Sequence, residues 1–402
     1  MRFDTPLRDE HRHFAARDAA RRAERAQQAR GASVTRAEAE VEYLPFGPAD
    51  ETGAPTCEIP AAFGEVELEY AAIRAGCAVV DLAQRAMLVV RGADRVDFVN
   101  RLVTNDLRKA AEGGVVRAFL TNRKGRIEAD LAVGVGSEAL LVETLAHDAD
   151  AVRESLERLV FSEDVAVETR LSTHHLVGVH GPKAGAALRA LGLASPEGRA
   201  CWTASLGEGT ADVLRLDELG TEGFVLAAPR AQAASLWRSL TTFGARPAGW
   251  FAVNTARLEA GSPAFRIDFG PTNLPHESGV LDSRVSFTKG CYPGQEVVAR
   301  MQNLGKPKQR LVGLRIEGDL LPVADAQVFA YAEGGSIGDP VGVVTSSGLA
   351  PMLGAAPVAF AMVSSSSYAE GTRVLVNAEG EQAAATVAPL AFLDAARKAG
   401  DA

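Results

Sequence analysis

The chain has 402 residues, 47% of them apolar and 23% charged, the balance of a folded protein of two or three domains and not of a disordered or fibrous one. A net charge of −9 argues against a broad electrostatic footprint for duplex nucleic acid, so no direct nucleic-acid partner is expected. The four scattered cysteines, Cys57, Cys77, Cys201 and Cys291, form no CxxC pair, and no apolar run approaches the roughly 20 residues of a bilayer span, so the expectation is a cytoplasmic protein without metal site, disulfide framework or membrane segment.

In chain order, residues 1–60 read as a charged N-terminal arm and linker. Arg8–Arg30 is rich in Ala and Arg, with Asp9, Glu10, Asp18 and Glu24 interspersed and almost no apolar face, the pattern of a solvated helix that Gly31 stops. Pro45, Pro48, Gly53 and Pro55 then mark a loop.

Residues 61–170 read as an α/β domain. Val66, Tyr70 and Ile73 have helical spacing, Ala86–Val90 is strand-like, and Val96, Val99, Leu102 and Val103 form the apolar face of a helix ending at Thr104-Asn105-Asp106. Val115–Leu120 and Ile127–Val135 predict a hairpin around Asn122-Arg123-Lys124-Gly125, followed by a helix over Asp148–Leu159.

Residues 171–308 read as a second α/β domain, with strands His175–Val179, Ala211–Leu216 and Gly223–Ala227, helices Ala184–Leu191 and Ala231–Leu240, and a helical stretch closed by Gly261. His174 and His175 lack metal-ligand spacing, and strand alternation sends their rings to opposite faces. Residues 309–402 change texture to short β runs with frequent Gly and Pro, over Leu311–Ile316, Gln327–Tyr331, Val341–Thr345, Val358–Val363 and Arg373–Val376, which predicts a small β-barrel. The fold class expected is α+β.

Chemistry concentrates in Lys289-Gly290-Cys291-Tyr292-Pro293-Gly294-Gln295-Glu296. Pro293 suits a first helical turn and Val297, Val298 and Met301 continue at helical spacing, so Cys291 is expected just ahead of a helix N-terminus. There the helix dipole and the Lys289 ammonium would favour thiolate; the alternative is a small structural cysteine before an ordinary helix. Glu296 and Arg300 are spaced to pair along that helix. Asp106, at a helix end where the dipole does not favour a carboxylate, is either a turn residue or one kept for chemistry.

The octet, with Arg300 downstream and Asn273-Leu274-Pro275-His276-Glu277 upstream, resembles the signature of the YgfZ family, folate-binding proteins of iron–sulfur cluster assembly, and through it the T-protein of the glycine cleavage system. The resemblance runs from about Phe63 to about Pro389. It implies a three-domain cloverleaf around a folate channel, with the Cys291 loop at the rim and tetrahydrofolate or another reduced folate as cofactor. Asn105-Asp106 matches the pair whose aspartate sits beside the one-carbon carrier, and Arg257 falls where the family carries a basic residue near folate. In the segment Gly220-Thr221-Glu222-Gly223-Phe224-Val225 the family ends on a glutamate that grips the pterin; Val225 lacks that carboxylate, and Glu222 is the neighbouring one available to substitute. The function implied is an accessory factor for iron–sulfur cluster assembly or repair, with iron–sulfur client proteins or assembly factors as partners and Cys291 as nucleophile, mixed-disulfide thiol or cluster-handling thiol. A folate-dependent aminomethyltransferase or demethylase is the alternative, and a folate-responsive scaffold with a structural Cys291 the third reading.

Overall fold

The computed structural model describes residues 3–30, 41–196, 198–332 and 335–393. Its architecture follows from strands that are apolar on both faces, since such a strand must lie between two layers. The chain begins with α1 (Arg8–Arg30), β1 (Glu42–Pro45), β2 (Glu58–Ala62), α2 (Val66–Ala75), β3 (Ala78–Asp81), β4 (Arg85–Arg91) and α3 (Arg95–Asn100). Next come β5 (Val115–Thr121), β6 (Ile127–Val135), β7 (Ala139–Leu145), α4 (Ala146–Glu157) and β8 (Ala166–Thr169). They build a five-stranded antiparallel sheet in the order β5-β6-β7-β4-β8.

The chain continues with β9 (His174–His180), α5 (Ala184–Ala190), β10 (Cys201–Leu206), β11 (Gly209–Arg215), β12 (Gly223–Pro229), α6 (Arg230–Phe243), β13 (Arg246–Pro247) and α7 (Trp250–Ala260). A six-stranded sheet forms in the order β10-β11-β12-β9-β3-β13. Strand β3 therefore leaves the segment 61–170 to join the second sheet beside β9, so the two α/β segments do not fold as separate blocks.

The two sheets pack face to face. On β4, Ala86, Leu88 and Val90 join the core with Phe98 of α3 and Val152 of α4, whereas Met87 and Val89 point the other way, against Leu176, Leu214 and Val225 of the second sheet. On β12, Phe224, Leu226 and Ala228 in turn face α5 and α6. Each Val or Leu buried in these layers contributes about 1.5–3 kcal/mol relative to exposure.

Short helices α8 (Leu281–Arg284) and α9 (Gln295–Leu304) lead to the C-terminal part. There β14 (Gln309–Ile316), β15 (Gln327–Tyr331), β16 (Ile337–Ala350), β17 (Ala356–Ser364), β18 (Arg373–Ala378) and β19 (Glu381–Ala388) close into the expected barrel, in the order β14-β17-β16-β15-β18-β19. The barrel and the sheets meet on α7. Arg257 binds Asp268 (2.6 Å) and Ser346 Oγ (2.6 Å), Asn254 donates to the Ser347 carbonyl (3.1 Å), and Glu259 accepts from Arg74 and Tyr70 (both 2.6 Å) and from Met352 N–H (2.9 Å). Gly261 ends α7 in the left-handed region at φ 74°, as its place after the helical run predicts.

The N-terminal expectation is corrected. The described part of residues 1–60 is neither a solvated arm nor a loose linker. Leu7, His11 and Ala15, one helical turn apart, are buried, and β1 pairs with β2. A histidine in the middle of the stripe disguised its apolar face. The His11 ring lies 5.0 Å from the rings of both Phe63 and Trp237, its Nδ1 is 2.7 Å from Tyr43 Oη, and its Nε2 is 3.5 Å from Asp81 Oδ2. Asp81 in turn holds His175 Nε2 at 2.7 Å, so the two neighbouring histidines diverge as alternation requires.

Burial lowers the His11 pKa from 6.5 to about 4 against the opposing pull of Asp81. The unfolded chain takes this proton near pH 6.5 and the folded chain only near pH 4, so the stabilisation is complete above pH 6.5 and is lost as pH falls toward 4. Thermal melts should show stability declining from pH 7 to pH 5, with His11 removing on the order of 2 kcal/mol by pH 5. His11→Phe should make that decline shallower by the share of His11, with His180, lowered equally by burial, still contributing; an unchanged pH dependence in the variant would contradict a buried neutral His11.

Candidate functional site

The same alternation that buries Met87 and Val89 between the sheets also sends charged residues there. Register places Met87 opposite Glu143, Arg117 opposite Ala132 and Phe119 opposite Asp130, so Arg85, Arg117, Asp130 and Glu143 all share the inter-sheet face. Arg85 donates to Glu143, and Arg117 donates to Glu218 and, at 3.3 Å, to Asp130. Arg284 of α8 donates to the other Asp130 oxygen at 3.0 Å, and Arg85 lies 3.8 Å from Glu218. Three guanidinium groups thus face three carboxylates. Desolvating such charges costs several kcal/mol each, and only this mutual pairing offsets it. Burial pushes the Glu143 carboxyl up, while at Glu218 Arg117 and Arg85 overcome burial and hold the carboxyl well below its usual range.

This cluster forms one wall of a central cavity. Phe46, Leu82, Leu145, Val225, Trp250, Val253 and Phe265 supply its apolar lining, and Gln84, His180 and Arg257 further polar lining. The Phe46 and Trp250 rings meet edge to face with centroids 6.4 Å apart. Four buried polar atoms on the cavity residues have no protein partner: Gln84 Oε1, Arg117 Nε, His180 Nδ1 and Arg257 Nε. Native proteins seldom leave such atoms unsatisfied. Burial lowers the His180 pKa to about 4, so its ring is neutral at pH 7 and carries one donor and one acceptor.

The residues singled out in the sequence divide among three places. Arg257 is on the cavity wall, buried, with its guanidinium 5.3 Å from the Trp250 ring. Val225 also lines the cavity, but Glu222 lies outside it, accepting the Gly185 N–H at 2.9 Å, and so does not replace the carboxylate missing at position 225.

Asn105, Asp106 and the Lys289–Glu296 octet meet at a rim. Asn105 Nδ2 donates to the carbonyls of Arg117 (2.9 Å) and Ser283 (3.2 Å), which ties this turn to the backbone of the cavity wall. Asp106 accepts the Arg108 N–H at 3.2 Å and lies 3.8 Å from Lys109 Nζ; it does not line the cavity. The Lys289 ammonium donates to the carbonyls of Asn100, Val103 and Asn105, and burial lowers its pKa to about 8 with Asp106 opposing. Its charge is spent on these carbonyls, and it makes no hydrogen bond to Cys291. Helix α9 starts at Gln295, two residues beyond the proline expected in its first turn, with Gly294 as N-cap at φ 80°. A Cβ on Gly294 would stand 2.3 Å from the Asn122 carbonyl oxygen, so glycine is what lets the octet lie against the β5–β6 turn. Gly290 and Cys291 are exposed, Tyr292 is buried, and Gln295 donates its N–H to the Tyr292 carbonyl at 3.2 Å. Glu296 and Arg300 are both exposed and do not pair, contrary to the spacing argument.

Sequence reasoning missed Arg85, Arg117, Asp130, Glu143, Glu218, His180, Trp250 and Arg284. A signal was present: Arg117 and Asp130 interrupt predicted strands, and Phe119 and Ala132, two residues further along, are buried. Among the described residues, no group of three or more His, Cys, Asp or Glu is placed to hold a metal ion, and no helix is long and apolar enough to cross a membrane.

Cys291 is exposed, while Cys57, Cys77 and Cys201 are buried and their thiols are pushed up by burial to about 12, 11 and 12. Cys57, expected to be open in a linker, is shielded by the β1–β2 region. Site-resolved alkylation of the native chain at neutral pH should therefore label Cys291 at least about tenfold faster than the other three. Equal labelling of Cys57 and Cys291 would contradict the packing of the N-terminal segment.

Comparison with known proteins agrees with this architecture. An aminomethyltransferase of Moorella thermoacetica is 30% identical over 349 residues, covering 83% of this chain and 91% of the relative. An aminomethyltransferase of Streptomyces avermitilis is 28% identical over 326 residues, covering 78% and 86%. The crystal structure of the glycine cleavage system aminomethyltransferase T of Bartonella henselae superposes with a TM-score of 0.77 at 24% identity, covering 88% of this chain and 94% of that one, which establishes likeness of fold. Residues 22–289 match the GCVT N-terminal domain and residues 309–394 the glycine cleavage T-protein C-terminal barrel domain, and the chain therefore belongs to the glycine cleavage T-protein family.

Proposed function

We propose that the central cavity binds a reduced folate and that the chain acts on the one-carbon unit the folate carries, the class of activity for which its aminomethyltransferase relatives are named. The observation that carries this reading is a cavity with aromatic walls whose lining also offers the side chains of Gln84, Arg117, His180 and Arg257. A reduced pterin presents a planar ring with adjacent donors and acceptors, which matches one amide acceptor, two guanidinium donors and a neutral imidazole. Trp250, Phe46 and Phe265 flank the ring and exclude water from it. Bound there, tetrahydrofolate supplies ring nitrogens able to carry a one-carbon unit. The chain's own part is to orient the ring through Gln84, Arg117, His180 and Arg257, and to keep the wall in place through the hydrogen bond from Asn105 to the Arg117 carbonyl. Asp106 is assigned to assist transfer from the rim.

A second reading is supported by Cys291. It is the one exposed cysteine of four, in a string resembling the YgfZ signature, on a loop pinned by Lys289 and by the Thr121 hydroxyl on the Pro293 carbonyl at 2.7 Å. In that reading the folate-bound chain supports iron–sulfur cluster assembly or repair, and Cys291 is the thiol offered to client proteins or assembly factors.

Because position 225 lacks a carboxylate, binding of a reduced folate should be modest, with Kd in the micromolar range, about −8 kcal/mol at 1 μM. Calorimetry should detect it, and Trp250→Ala should weaken it about tenfold or more through loss of aromatic contact. No binding at millimolar ligand would remove folate from the account. One-carbon transfer that Asp106→Asn abolishes would support the first reading. Absence of transfer, with iron–sulfur enzyme activities lost in a deletion strain and not restored by Cys291→Ala, would support the second.

A further inference from the structure

The loop between β11 and β12 is held on both sides of Glu218. Asp217 accepts the Gly223 N–H at 3.0 Å and pairs with Arg215 at 3.1 Å, and the Leu219 carbonyl accepts from Arg74. Glu218 is thereby directed inward, into the cavity that Val225 also lines. Its two oxygens are not equivalent. Arg117 donates to Oε1, and the Arg85 guanidinium approaches the same Oε1 at 3.8 Å. Among the described residues Oε2 has no partner, and the side chain keeps 29% of its surface accessible although the residue is a cavity residue, so the open oxygen faces the cavity.

Resting on the folate reading, we infer that Glu218 is the specificity-determining carboxylate of this cavity: its Oε2 accepts from an amino or ring N–H group of a 2-amino-4-oxopyrimidine edge. The two arginines on Oε1 hold the carboxylate in a single orientation, so a ligand edge meets a fixed acceptor and loses little to reorganisation. No other carboxylate does this job: Glu143 and Asp130 are committed to Arg85, Arg117 and Arg284, and Glu222 is on the outer face. The wall combines a charge-assisted acceptor from the β11–β12 loop with an apolar side chain at position 225.

Calorimetry with 5-formyltetrahydrofolate and with a 2-desamino analogue, on the full wild-type chain and on Glu218→Gln and Glu222→Gln, tests this. Wild type should prefer the amino-bearing ligand by about 10–100-fold, the range of one charge-assisted hydrogen bond. Glu218→Gln should lose about that factor for the amino-bearing ligand and little for the desamino analogue, and Glu222→Gln should bind as wild type does. Equal wild-type affinity for the two ligands overturns the inference without any variant. So does a Glu218→Gln variant that binds like wild type or that loses both ligands equally. Wild type that binds neither ligand overturns the folate reading itself.

Discussion

Charged side chains at inward-facing strand positions govern this molecule. Strand alternation turns Arg85, Arg117, Asp130 and Glu143 inward once the two sheets close on Met87, Val89, Leu141 and Val225. Lone buried charges would cost several kcal/mol each, more than the apolar layer beside them returns per residue. The fold answers with neutrality: Glu218 and Arg284, from a loop and a short helix outside the sheets, complete three cation–anion pairings. The cavity lies against this network, roofed by α7 and Phe46.

That constraint also explains how the rim and the barrel are placed. The cavity wall at Arg117 and Arg284 is held from behind, because the Asn105 amide takes the Arg117 carbonyl and the Thr104 hydroxyl takes the Arg284 carbonyl at 2.7 Å. Lys289 then fixes the same turn by three carbonyl contacts, so Asn105 of the Asn-Asp pair and Lys289 of the cysteine loop, 184 residues apart in sequence, share one support. On the opposite side Arg257 pairs with Asp268 at 2.6 Å and donates to Ser346 Oγ of the barrel at 2.6 Å, joining barrel to sheets. Loosening the Asn105, Thr104 or Lys289 contacts changes the shape of the cavity without touching its lining, whereas Arg257 is itself part of that lining.

Much of the fold was legible in the sequence where one physical signal dominated. The hairpin at Asn122–Gly125, helix α4 and the barrel strands through Arg373–Val376 follow from alternation, helical spacing and turn chemistry. Strand β19 was missed because its Ala-rich run Glu381–Ala388 has weak strand preference and gains its place from barrel closure. Strand β3 was missed because four wholly buried residues show no period. The N-terminal helix was misjudged because its buried stripe contains His11, which scores as polar until Asp81 and Tyr43 are known to face it. In the site, the local string around Cys291 could be found by eye, but its presumed charge relation with Lys289 could not be tested. The lysine's partners lie in a turn near residue 105, and only tertiary structure brings them together. Glu218 was invisible for the same reason: nothing local distinguishes it from Glu222, four residues on, which faces outward.

Hydrogen–deuterium exchange of the full chain with and without a reduced folate tests the central claim most directly, because it reports where the ligand acts without any substitution. The account predicts protection of the cavity segments: β4 near Arg85, β5 near Arg117, the loop at Asp217–Leu219, and α7 with the following stretch through Phe265. Absence of protection at saturating folate, or protection confined to the outer face around Gly185 and Arg199, would contradict a folate site between the sheets.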